Sequence, residues 1–328
     1  MPAHAPWHES PTMHSTSPSR SAGGQPAIEI RGLTKRFGAV SAVDDMSFSV
    51  AAGTVTGFLG PNGAGKTTTL RMLLGLVRAD AGAASVLGMP YVDLQRPAAT
   101  VGALLDSAGA HPSRTARDHL RVHATAVGVD PGRIGDVLDL VDLVDAADRR
   151  VGGFSQGMRQ RLGLATALLG DPEVLVLDEP NNGLDPAGVR WLRDLLRHLA
   201  GQGKAVLVSS HQLAEVAHTV DHVVVIDRGR LVRAAPLAQI AGPPGVTVRT
   251  PESVRLAAAL DAAGIAHRTG GDGNLIAVDT TPEVVGRLAA AAAIVVYELR
   301  LASGSLEDAF LSLTSGDAPV GTITEEPS

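Results

Sequence analysis

Between residues 54 and 74 the sequence reads TVTGFLGPNGAGKTTTLRMLL, and no other stretch constrains the fold as tightly. An apolar, strand-like run from Thr54 to Leu59 leads into Gly60, Pro61, Asn62, Gly63, Ala64, Gly65, Lys66, Thr67 and Thr68. A helical pattern through Leu70, Leu73 and Leu74 follows. Glycines at 60, 63 and 65 let the backbone wrap so that successive N–H groups point inward, and the positive end of the next helix completes an anion cradle. At this spacing Lys66 reaches the β- and γ-phosphates of a nucleoside triphosphate, and the Thr67 hydroxyl reaches Mg²⁺. Strand, loop and helix in this register predict triphosphate binding. They do not say what the binding is for.

The 328 residues suffice for one large domain and a smaller one. With 45% hydrophobic and 19% charged residues the chain is expected to be globular. A net charge of -6, with 28 Lys and Arg spread along the sequence, gives no basic footprint, so nucleic acid is not expected as a partner. The absence of cysteine excludes disulfides and Cys-ligated zinc and fits a reducing compartment. The longest apolar runs, such as Leu288 to Tyr297, fall far short of the roughly 20 residues that cross a bilayer, so the chain is not expected to span one. Residues 1–26 are rich in Pro, Ser and His and lack an apolar core segment. They read as a disordered tail, His4, His8 and His14 included, and not as a secretory signal.

Short strands are expected at Ile28 to Ile30 and Met46 to Val50, then the strand feeding the phosphate loop, a helix over 66–76 and a helix-dominated middle from about 115 to 170. Val174 to Leu177 and Ala205 to Val208 are unbroken apolar runs, the signature of parallel strands buried on both faces. Strand and helix alternation gives an α/β fold with a helical insertion. After the Gly242-Pro-Pro-Gly245 linker the order becomes β-α-β-β-α-β: Val246 to Arg249, Glu252 to Ala263, Ala266 to Thr269, Leu275 to Val278, a helix from Thr281, and a last strand Ile294 to Leu299. That order suggests a small α+β, ferredoxin-like module. A capped helix from Ser305 to about Leu313 would follow it. The expected division is a tail at 1–26, a nucleotide-binding domain at 27–240 with a helical subdomain at about 107–170, an accessory module at 246–315, and a second tail at 316–328.

Two further constellations carry chemistry. Asp178 ends a buried strand at the sheet edge where doubly wound folds bind ligands, so it is placed to hold Mg²⁺ through water. Its neighbour Glu179 is placed to polarise an attacking water as general base. In Phe154-Ser155-Gln156-Gly157, a hydroxyl, bare amides and a helix N-terminus coincide, which suits a γ-phosphate.

From about Ile28 to Ala235 the chain resembles the ATP-binding subunits of ABC transporters, with GPNGAGKTT, FSQGMRQR, LVLDEP, NNGLDP and SSH in order. The resemblance implies a P-loop NTPase that works as a head-to-tail homodimer. Two ATP molecules would each be sandwiched between the phosphate loop of one copy and the Ser155, Gln156 and Gly157 signature of the other. By the same carry-over Phe37 is the ring on which adenine stacks, a core phenylalanine being the alternative reading. Thr68 binds toward the α-phosphate, Asp185 lies in the loop along the dimer interface, and His211 bonds the γ-phosphate and holds the water with Glu179. Lys66, Glu179 and His211 form the catalytic set, and Thr67, Asp106 and Asp178 the Mg²⁺ set. Three positions depart from the pattern: Asp106 stands where the family has glutamine, Gln156 replaces a glycine, and Asn181 replaces a threonine. A carboxylate at 106 can still ligate Mg²⁺.

The ending SLEDAFLSLT looks like the drug-exporter branch, whose permease is a separate polypeptide. The expectation is an ATPase on the cytoplasmic face of the cell membrane, docked on a multi-span permease that exports a drug, lipid or polysaccharide. A soluble ABC ATPase acting on ribosomes or nucleic acid is the alternative, although such proteins usually carry two phosphate loops or long coiled coils.

Overall fold

The computed structural model describes residues 25–105, 109–211, 216–240, 245–270 and 273–302. Its first sheet is antiparallel, with strand β2 (Val40–Val50) beside β1 (Ile28–Phe37) and β4 (Ala81–Val86) on the other side of β1. Only fragments of β1 and β2 were legible in the sequence. The ladder between them shifts register at three places, and Gly32 and Asp45 have positive φ, so apolar and polar residues do not alternate over the full strands. β4 is spelled AGAASV, a composition with weak strand propensity, and its pairing with β1 defines it.

The second sheet holds the centre of the molecule. β3 (Val55–Leu59), β6 (Val174–Leu177) and β7 (Ala205–Ser210) are buried at every residue, because both faces of this sheet are covered. The strand order is β5-β6-β7-β3-β8-β9, where β5 is Val101–Leu104, β8 His222–Asp227 and β9 Arg230–Pro236. All neighbours are parallel except the β8–β9 pair. α1 (Lys66–Leu73) crosses from β3 toward β4, and is shorter than the 66–76 expected. Gly75 takes φ 68° while the Leu76 N–H closes on the Arg71 carbonyl, a left-handed helix stop.

The expected helical insertion contains α2 (Ala116–Val127), α3 (Arg133–Leu140) and α4 (Gln156–Leu168). Thr115 caps α2 by accepting the Asp118 N–H at 3.0 Å, and Gly128 ends it in the left-handed region. Leu120, Val137, Leu138, Leu162 and Leu164 pack into one apolar cluster with Leu177 and Val206 of the sheet, so the insertion and the sheet share a core. α5 (Pro186–Gly201) follows β6 and adds Leu192, Leu195 and Leu196 to that cluster.

The C-terminal module has β10 (Gly245–Arg249), α6 (Ser253–Ala262), β11 (His267–Thr269), β12 (Leu275–Val278), α7 (Pro282–Ala291) and β13 (Glu298–Ala302). The antiparallel order β11-β12-β10-β13 is that of the ferredoxin-like arrangement. Its core of Val246, Val248, Leu256, Leu260, Val285 and Ala289 is a separate cluster. The last strand is not Ile294 to Leu299. Ala293 turns the chain at φ 52°, the Ile294 N–H caps α7 through the Ala289 carbonyl, and Ile294 packs into the core, so the ladder begins only at Glu298. Residues 1–24 of the expected tail at 1–26, the expected tail at 316–328, the helix from Ser305 and Asp106 lie outside the described residues.

Within the helical insertion His119 is 5% exposed, its ring centroid 4.6 Å from that of His123, with Thr166 Oγ1 3.3 Å from Nε2. Burial, aided by the charges of His123 and Arg114, pushes its pKa from 6.5 down to about 4. The unfolded chain therefore binds the extra proton first as pH falls from 6.5 to about 4, and the folded state loses stability across that window. Urea unfolding of His119→Gln is expected to show a flatter pH dependence than wild type between those limits. An unchanged slope contradicts the assignment.

Candidate nucleotide site

Because β3, β6 and β7 are parallel and adjacent, with Leu59 opposite Ser210 and Leu177 opposite Val208, they leave the sheet at one edge. Gly60, Asp178 and His211 follow directly and meet there. In the loop, Gly63 and Gly65 take φ values of 80° and 103°, and a Cβ on Gly65 would collide with the Ala42 carbonyl oxygen of β2. No side chain caps α1 at Gly65, so the amides of its first turn are suited to anionic oxygens.

Lys66 is 6% exposed, and its Nζ donates to the Gly60 and Pro61 carbonyls at 2.7 and 3.3 Å, with Glu179 Oε1 at 3.4 Å. Thr67 Oγ1 donates to Asp178 Oδ2 at 2.7 Å, and Ser209 Oγ donates to Asp178 Oδ1 at 2.5 Å. The same Ser209 oxygen accepts the Glu179 N–H at 2.9 Å. Glu179 sits at φ 48°, a conformation a residue with a side chain adopts only when its surroundings hold it there. His211 Nδ1 lies 2.9 Å from Glu179 Oε2, so this carboxylate stands between a lysine and a histidine.

This donor set fits a triphosphate with its metal. A buried ammonium, a row of uncapped amides and the Thr67–Asp178 pair of hard oxygens match the one or two protein ligands Mg²⁺ usually takes beside phosphate and water. No group of three or more His, Asp or Glu side chains with metal-holding geometry occurs among the described residues.

The structure thus brings together Lys66, Thr67, Asp178, Glu179 and His211. Thr68 is half-buried in the first turn of α1. Phe37 is 53% exposed in the β1–β2 hairpin, with Lys35 Nζ 5.4 Å from its ring centroid, which removes the core reading; the core phenylalanines among the described residues are Phe48, Phe58 and Phe154. Ser155 and Gln156 are exposed at the start of α4, where Ser155 Oγ accepts the Met158 N–H at 3.2 Å. Among the described residues no hydrogen bond joins Ser155, Gln156 or Gly157 to the loop Gly60 to Thr68. Asp185 caps α5 through Gly188 N at 2.7 Å. A cavity of about 980 Å³ opens beside Ser155, Gln156, Gly157, Gly183 and Asp185.

In the sequence Ser209 stands out only as the first residue of the SSH run, yet it touches both acidic residues. Its position directly after the apolar run, in step with Asp178 on the neighbouring strand, was the available signal. Ser209→Ala leaves Asp178 Oδ1 and the Glu179 amide without this partner, and a loss of about 1–3 kcal/mol in urea unfolding of the nucleotide-free protein is expected. A stability equal to wild type contradicts this.

Residues 43–182 match the ABC transporter family, and residues 244–307 match a domain of unknown function (DUF8746). The chain is 36% identical over 292 residues to the uncharacterized ABC transporter ATP-binding protein YhcH of Bacillus subtilis, covering 88% of this chain and 95% of that one. It is 37% identical over 298 residues to Nod factor export ATP-binding protein I of Burkholderia pseudomallei, covering 88% and 96%. Against the bacitracin transport ATP-binding protein BcrA of Bacillus licheniformis it is 41% identical over 212 residues, covering 64% and 69%. A solved ATP-binding subunit of an ABC transporter superposes with a TM-score of 0.60 at 27% identity, covering 65% of this chain and 91% of that one. The dimeric MJ0796 cassette of a bacterial ABC transporter shares the fold at 20% identity and a TM-score of 0.60, covering 64% and 99%. With the phosphate loop, the strand-end acids and a near full-length relative in agreement, the chain belongs to the ABC transporter ATP-binding proteins, a family that binds and hydrolyses ATP.

Proposed function

We propose that the chain is the ATPase subunit of an exporter and that it works as a homodimer on a separate multi-span permease. The observation that carries the catalytic part is the contact chain Lys66–Glu179–His211 beside Thr67–Asp178–Ser209 at one sheet edge. Lys66 and the loop amides bind the β- and γ-phosphates, while Phe37 offers its exposed ring to adenine and Thr68 the oxygen nearest the α-phosphate. Thr67 and Asp178 hold Mg²⁺, which supplies charge neutralisation across the β- and γ-phosphates when bound. Glu179 takes the proton of the attacking water, and His211, bonded to the same carboxylate, keeps it aimed.

The exposed Ser155 and Gln156 and the half-buried Gly157 complete the site of a second copy, with Asp185 in the adjoining loop. Support comes from their separation from this chain's own phosphate loop and from the dimeric assembly of one cassette of the same fold. Residues 27–240 form the nucleotide-binding domain in this reading, and 246–315 an accessory module. Export is supported by the Nod factor and bacitracin proteins, the first aligned along nearly its whole length. Among the described residues no helix is long and apolar enough to cross a membrane, which fits attachment to a permease from the cytoplasmic face.

Glu179→Gln keeps the size and hydrogen bonds of the side chain but removes its basicity. Steady phosphate release is expected to fall about 10²–10⁴-fold while an ATP-bound dimer accumulates on size exclusion. Undiminished turnover would remove Glu179 from the role of base.

A further inference from the structure

The segment after Glu179 is bound to the helix that presents Ser155, and two glutamines make the connection. Gln160 is 3% exposed and belongs to no step described above, and its Nε2 donates to the Pro180 carbonyl at 3.0 Å. One turn earlier, Gln156 lies flat across Gly183: a Cβ built on Gly183 would collide with Gln156 Cγ and stand 2.8 Å from its Nε2. Gly183 has φ 78°, so its bare Cα serves both the turn and the contact. The backbones also close in here, because a Cβ on Gly157 would lie 3.1 Å from the Gly183 carbonyl oxygen. Glu179 itself is strained at φ 48°, and its carbonyl accepts the Asn182 N–H at 3.1 Å. A displacement of the first two turns of α4 therefore acts on Pro180, inside the Glu179–Asn182 turn, and on Gly183 directly after it.

We infer that Gln160 and Gln156 are positioning residues that tie the Ser155–Gly157 end of α4 to the Glu179 turn. The residues that meet a nucleotide held by the second copy thereby set the placement of the base in their own copy. The inference rests on the homodimeric ATPase reading given above. It also gives Gln156 a reason to be present where the resemblance leads one to expect glycine, since a glycine has no side chain to lay across Gly183.

The test uses the full-length protein and measures kcat and KM for ATP hydrolysis, with Tm recorded in parallel, for Gln156→Ala, Gln160→Met and the Gln156→Ala/Gln160→Met pair. Gln156 is exposed, so its variant remains informative if the buried Gln160→Met fails to fold. A misplacement of the base predicts a fall of about tenfold in kcat with KM for ATP within about twofold of wild type. It also predicts that the double variant is no slower than the slower single variant, because both changes break one connection. An unchanged kcat in Gln156→Ala, a raised KM with kcat intact, or losses that multiply in the double variant overturn the inference. If wild type itself releases no phosphate, the ATPase reading has failed. If wild type turns over and the Gln156 variant matches it, only the positioning role has.

Discussion

The Asp178 carboxylate is the point on which the site depends. One oxygen takes the Thr67 hydroxyl from the phosphate loop and the other takes Ser209 from the neighbouring strand, while Ser209 in turn holds the Glu179 amide. Three strand ends that are far apart in sequence become one site through a single acid and a serine. The arrangement needs β3, β6 and β7 to be adjacent and parallel, and their complete burial between two covered faces secures that. Core packing therefore does more than stabilise the domain. It sets the distance between the phosphate loop and the Glu179 turn.

Strong local patterns were the legible part of the chain. The phosphate loop and the apolar β6 and β7 runs each show in a window of ten residues or so, and the βαββαβ order is a succession of such windows. Lys66, Thr67, Asp178, Glu179 and His211 meet as their positions implied. What the sequence hid was set by tertiary context. β4 is a run of small residues that pairs because β1 lies beside it, and β1 and β2 lose their alternation at bulges. The apolar stretch Ile294 to Val296 reads as a strand but serves a helix cap and core packing, which moves the last strand to Glu298–Ala302. Gln160 was invisible as a functional candidate because its one visible act is a bond to a main-chain carbonyl twenty residues away.

In the proposed homodimer each copy holds phosphate with its loop and presents Ser155 elsewhere, on the helix braced against its own Glu179 turn. On that proposal a single copy is an incomplete catalyst, and dimer closure is the event that couples nucleotide to work. The His211–Glu179 contact is 2.9 Å long within one copy, so on the same proposal the base and its partner meet before closure, and what closure adds is the second copy's helix end.

The central claim, that each ATP site is built from two copies, is tested most directly by mixing two disabled proteins. Lys66→Ala removes the phosphate loop's charge and Ser155→Arg blocks the signature, so each variant alone has no working site. Random re-pairing gives heterodimers with one intact site each, and recovered ATPase activity of roughly a quarter of wild type is predicted. No recovery on mixing, or substantial activity in Ser155→Arg alone, would contradict the claim.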